Sequence, residues 1–148
     1  MCVGGSDASE YVIQELPSNL PTEHNANNDP VAVSHCAWSS DCRYMASRCE
    51  SMPRVLWIWD TTRLGLAAVL VQRDPITQAK WTPREGARLA LCTGGTKVYL
   101  WSPRGCSCVD IPSAGVEASQ LGWSQCGRYM VVSGARALCV CYVENVEF

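Results

Sequence analysis

Val55-Leu56-Trp57-Ile58-Trp59-Asp60 (VLWIWD) is a short run of β-branched and aromatic side chains that stops at an acid followed by two threonines. Pro53 stands just upstream. An apolar run of this composition, with a breaker on either side, predicts a strand with defined ends. Alternation places Val55, Trp57 and Trp59 on one face and Leu56 and Ile58 on the other. A strand apolar on both faces is expected inside a sheet that has neighbours on both sides.

Working outward, the same features return. Trp38 ends a strand expected over 34–39; the turn Ser40-Asp41-Cys42 and a strand over 43–48 follow, and 66–71 closes the unit after VLWIWD. The second unit has strands expected over 76–82, 88–93, 97–101 and 106–111, with Trp81 and Trp101 at the places of Trp38 and Trp59. The third has strands over 118–124, 128–133 and 138–143, with Trp123 in the place of Trp38. Trp38 and Trp81 are 43 positions apart; Trp81 and Trp123, like Trp59 and Trp101, are 42 apart. A period near 42 with four short strands per unit is the pattern of propeller blades. No segment holds a helical apolar period over three turns. The fold class expected is all-β: about three four-stranded antiparallel blades in an open arc, over 33–73, 74–112 and an incomplete 113–148. Residues 1–32 precede them, with one strand at Glu10–Leu16 and a polar loop, Pro17–Pro30, rich in proline and asparagine.

Composition narrows the function classes. The apolar fraction is 47%, the charged fraction 18% and the net charge −2, as in a folded domain without a field for nucleic acid or anionic membrane. No charged start followed by an apolar run marks a leader, and the run Leu64–Val71 is far too short to span a bilayer, so a cytosolic or nuclear chain is expected. The ten cysteines lack zinc spacing: Cys106 and Cys108, like Cys139 and Cys141, are separated by one residue rather than two to four. They read as small buried hydrophobes, with no metal and no cofactor expected. Ser34 and His35 are strand neighbours facing opposite ways, and Gly94-Gly95 leads into a strand rather than a helix. No catalytic residue is assigned.

The residues resemble the WD-repeat family. The resemblance is carried by Trp38-Ser39-Ser40-Asp41-Cys42-Arg43-Tyr44, by Trp59-Asp60, and by the recurring turns Trp81-Thr82-Pro83-Arg84-Glu85-Gly86 and Trp123-Ser124-Gln125-Cys126-Gly127-Arg128-Tyr129. It covers 33–143 and implies a partial WD-repeat propeller. More narrowly, Arg48-Cys49-Glu50-Ser51-Met52-Pro53-Arg54 running into VLWIWD is similar to the centrosomal and spindle-pole branch of that family. That likeness implies a non-catalytic scaffold at the centrosome or spindle pole. Its implied roles are microtubule anchoring and cilium formation, with a microtubule minus-end anchoring protein as partner. The alternative is a general WD-repeat adaptor, such as a ubiquitin-ligase substrate receptor or an RNA-processing subunit. Trp101-Ser102 and Cys141-Tyr142 depart from Trp-Asp, no Gly-His pair precedes any unit, and Cys42 holds the turn place of Gly86 and Gly127. Three blades do not close a propeller, so missing blades from a longer chain are expected.

Trp38, Trp59, Trp81, Trp101 and Trp123 are expected in the core, and Asp60 in a structural role. Arg54, Lys97 and Arg136 recur in the loops between second and third strands, which predicts a basic arc at one end of the blades. Trp57 is the candidate partner anchor beside it. Thr82-Pro83 and Ser102-Pro103 have the form of proline-directed phosphorylation sites.

Overall fold

The computed structural model describes residues 32–84 and 86–143. The strand expected at Glu10–Leu16, the loop Pro17–Pro30 and the last five residues lie outside them. Eleven strands form three antiparallel sheets, with no helix among the described residues. The first sheet is β1 (Val33–Trp38), β2 (Tyr44–Cys49), β3 (Val55–Asp60) and β4 (Gly65–Val71), in that order. The second is β5 (Gln78–Trp81), β6 (Leu89–Cys92), β7 (Lys97–Ser102) and β8 (Gly105–Asp110). The third, β9 (Gln120–Trp123), β10 (Tyr129–Ser133) and β11 (Leu138–Tyr142), has three described strands, so the expected third blade is seen without its fourth.

Each hairpin is set by its turn. In the first, Ser39 donates its backbone N–H to the Tyr44 carbonyl at 2.8 Å, and its hydroxyl accepts the Tyr44 N–H at 2.9 Å. Ser124 repeats both bonds with Tyr129, at 2.9 and 3.0 Å. Closing so tight a turn needs a left-handed residue, and Cys42 (φ +57°), Gly86 (φ +101°) and Gly127 (φ +66°) supply it. The register pairs Trp38 with Met45, Trp81 with Leu89 and Trp123 with Met130, so the second turn is one residue longer than the others.

The sheets stack face to face and bury two apolar layers. Between the first and second lie Tyr44, Ala46, Leu56 and Ile58, packed on Ala79, Leu89, Leu91 and Trp101. Between the second and third lie Ala90, Cys92 and Val98 against Leu121, Met130 and Val132. Alternation along VLWIWD thus sends Leu56 and Ile58 into the stack and leaves Trp57 and Trp59 on the opposite face.

Candidate functional site

Each sheet has a leading face, toward the chain start, and a trailing face, toward the next sheet. On the leading face of the first sheet the register lines up Trp38, Met45, Trp59 and Leu66, with Cys36, Ser47, Trp57 and Val69 as the next row. The Trp59 indole N–H donates to the Ser47 hydroxyl at 2.9 Å. Trp38 is 55% exposed and Trp59 37%. Both were expected in the core, and the reason they are not is positional. Trp101, the counterpart of Trp59, is buried because Tyr44 of the preceding sheet meets its ring edge-on at 5.4 Å and Trp81 meets it at 5.9 Å. No preceding sheet covers Trp59 among the described residues. Trp57 sits mid-strand on this same face, half-buried, rather than at the turn end.

Tryptophan also ties the sheets together. The Trp81 indole N–H donates to the Ala37 carbonyl of the preceding sheet at 3.0 Å, and the Trp123 indole N–H donates to the Lys80 carbonyl at 3.1 Å. In both, the acceptor is the residue just before the preceding tryptophan. The innermost strands β1, β5 and β9 therefore run in one direction, and the turns between second and third strands share one end of the stack. Arg54 and Arg136 lie there exposed, whereas Lys97 pairs with Asp110 of the adjacent strand at 3.9 Å.

Asp60 closes β3 and organises its own turn. One carboxylate oxygen accepts from the Thr62 N–H at 2.9 Å, the Thr62 hydroxyl at 2.6 Å and the Arg63 N–H at 3.3 Å. The other lies 3.7 Å from Arg43 and 3.9 Å from Arg63. The Thr62 hydroxyl bond, more than any other influence, holds the carboxyl below its usual range, against the opposing effect of burial. No histidine joins this set. His35 instead has its Nε2 buried without a partner, and burial followed by the Arg48 charge lowers its pKa, which favours neutral imidazole.

Two cavities separate the sheets. One of about 430 Å³, between the first and second, is lined by His35, Trp38, Arg48, Gln78, Lys80 and Trp81. The other, about 560 Å³, lies between β8 and the β11 side of the third sheet, lined by Leu100, Cys106, Ile111, Met130, Cys141 and Val143. Cys141 stands where Trp101 stands one unit earlier, and the missing indole volume helps open it. Cys139 and Cys141 share a face, as alternation requires, with sulfurs 3.9 Å apart. Burial and the neighbouring thiol push Cys141 up to about 11. The nine described cysteines are free thiols, and no three metal-ligating side chains gather among the described residues. Thr82 is buried, which closes one of the two proline-directed positions to a kinase in the folded chain.

The tryptophan period is legible in the sequence, but the indole-to-carbonyl bonds depend on how the sheets stack; Asp60-Thr61-Thr62-Arg63 is a turn signal that points to the acid's partners.

No family model matches the chain. The mouse WD repeat-containing protein WRAP73 is 37% identical over 143 residues, covering 94% of this chain. The chain spans 31% of that relative's length. A chain in the crystal structure of the mitotic checkpoint complex superposes with a TM-score of 0.59 at 20% identity, over 88% of this chain and 40% of its own, a likeness of fold. With three stacked sheets at a 42-residue period, and turns and tryptophans recurring in each, the chain belongs to the WD-repeat family.

Proposed function

We propose that the chain acts as a non-catalytic scaffold for protein assembly at the centrosome or spindle pole, in microtubule anchoring and cilium formation. Its partner in this reading is a microtubule minus-end anchoring protein, and its location the cytoplasm and centrosomal cytoskeleton. The observation that carries the reading is the match to the mouse WD repeat-containing protein over nearly the whole chain. The Met52-Pro53 run into VLWIWD, which resembles the centrosomal branch, supports it. The partner contact is the turn end, where Arg54 and Arg136 are exposed and Lys97 pairs with Asp110. Trp57 contributes through the adjoining leading face.

Proximity labelling from the tagged chain in dividing cells tests this. Enrichment of pericentriolar proteins is the expected result; recovery of ubiquitin-ligase or ribonucleoprotein components instead overturns it. The double variant Arg54→Glu with Arg136→Glu should lose that enrichment while keeping its circular dichroism spectrum.

A further inference from the structure

The turns between first and second strands, and those between third and fourth, share the end of the stack opposite Arg54. They carry Arg43, Arg63, Arg84, Arg88, Arg104 and Arg128 against Asp41, Asp60 and Glu85. Six positive charges thus meet three negative ones, in a chain whose net charge is −2. The excess is local to this end, and no lysine of these turns contributes to it. Asp60 is shared between Arg43 and Arg63 at 3.7 and 3.9 Å, outside hydrogen-bond reach, so it saturates neither guanidinium. Arg84, Arg104 and Arg128 are also exposed.

Arg43, Arg88 and Arg128 each stand immediately before the second strand of their sheet, so the fold sets one at the same place in each. Stacked sheets lie about 10 Å apart, which fixes the interval of this row. The turns are also tied across sheets. The Ser40 hydroxyl donates to the Arg84 carbonyl at 2.5 Å, and a Cβ on Gly127 would stand 2.8 Å from Arg84 Cβ. Leu64 lies at the same end, in the turn after β3, and is 91% exposed at φ +50°. A bulky side chain is strained in that region, which glycine takes freely. Strain held by an apolar side chain with nothing over it points to a contact with a partner. Further units of such an array would lie beside the sheets, each touching only its neighbours, and would leave these turns open.

We propose that this end binds an extended acidic protein segment with a carboxylate at about every third residue. In a polyproline-II segment three residues make a turn and each rises about 3.1 Å. Every third side chain therefore returns to one face about 9 Å further along, close to the interval between sheets. A guanidinium takes a carboxylate through two parallel N–H bonds, which suits an arginine row better than a lysine one. An apolar side chain of the segment covers Leu64. A nucleic acid fits less well, because its phosphates repeat at a shorter interval and its backbone has no apolar group for Leu64. The surface is separate from the end that carries Arg54 and Arg136, so either contact can fail without the other.

Fluorescence anisotropy with the full chain tests this, using a labelled peptide of Glu-Ala-Pro repeats that carries one leucine. The expected result is a Kd below about 100 µM, weakened about tenfold as salt rises from about 0.05 M to about 0.3 M. Arg84→Glu with Arg128→Glu should weaken binding by about tenfold or more. Circular dichroism confirms that this variant is folded; if it is not, Arg63→Glu, whose side chain is 81% exposed, takes its role. Leu64→Gly should melt no lower than the parent yet bind about threefold to tenfold more weakly, a combination that a merely structural turn would not give. Arg54→Glu with Arg136→Glu, at the opposite end, should bind the peptide as the parent does. The proposal is overturned if the peptide does not bind at about 100 µM, or if single-stranded DNA of equal charge binds as tightly. Leu64→Gly or the folded arginine variant binding as the parent does, or the opposite-end variant losing as much, also overturns it.

Discussion

Replacing Cys42 by glycine should leave the chain as stable as before or stabilise it. Cys42 has φ +57° in a turn whose counterparts in the other two units carry glycine. Holding an L-residue in that region costs about 1–2 kcal/mol. Glycine removes that cost and restores about 0.5–1 kcal/mol of it through the freedom it gains in the unfolded chain. The net is a stabilisation of about 0–1.5 kcal/mol. Nothing else is lost, because the thiol is exposed and the turn uses the backbone of this residue. The Cys42 N–H donates to the Ser39 carbonyl at 2.9 Å, and the Cys42 carbonyl accepts from the Thr61 hydroxyl at 3.0 Å. For a chain of this length the melting temperature should rise by about 0–6 °C, read by far-ultraviolet circular dichroism. The reverse change, Gly127→Ala, adds to the φ strain a Cβ that would stand 2.8 Å from Arg84 Cβ and 3.0 Å from Thr82 Oγ1, so it should destabilise clearly. A fall of more than about 1 °C in Cys42→Gly, beyond the scatter of a neutral surface change, would refute the reasoning.

Other perturbations separate the inside of the stack from its ends. Ile58→Ala should cost about 2–5 kcal/mol in urea unfolding, whereas Val140→Ala, at the equivalent exposed place, should cost under about 1 kcal/mol. Trp101→Ala should cost about 3–5 kcal/mol and Trp59→Ala less than half of that, and equal losses would contradict the assignment of faces. Gly134→Ala would drive a Cβ into the Glu117 backbone and should destabilise by about 1–3 kcal/mol, seen as a lower urea midpoint at unchanged slope. Asp60 has a depressed pKa, so the stability it contributes is present above the ordinary carboxylate value, 3.8, and is lost as pH falls through its lower folded value. The gap in urea midpoint between the parent and Asp60→Asn should therefore be full at neutral pH and shrink only below that value.

The strands were legible because each is a bounded alternating run. VLWIWD was read as 55–60, which is where β3 lies, and the other ten strands fall within about two residues of their expected bounds. The left-handed turn at Cys42 was legible from its alignment with two glycines. What the sequence left hidden was which tryptophans are buried. Trp59 and Trp101 occupy the same position of the same strand, so no local pattern distinguishes them. The sheet before, through Tyr44 and its neighbours, makes Trp101 a core residue, and no such sheet covers Trp59 among the described residues. The arginines were legible as exposed turn residues, but the Lys97–Asp110 pair depends on the pairing of β7 with β8 and changes what that position offers a partner.

The indole-to-carbonyl bonds join residues 44 and 43 positions apart. Every sheet-to-sheet interface therefore closes nearly the same length of chain, and closure entropy changes only with the logarithm of that length. Adding a unit to such an array adds an interface without demanding a longer search. On the ribosome, a sheet can dock on its predecessor as soon as its own residues emerge, and the tryptophan that ends its first strand is among the earliest of them.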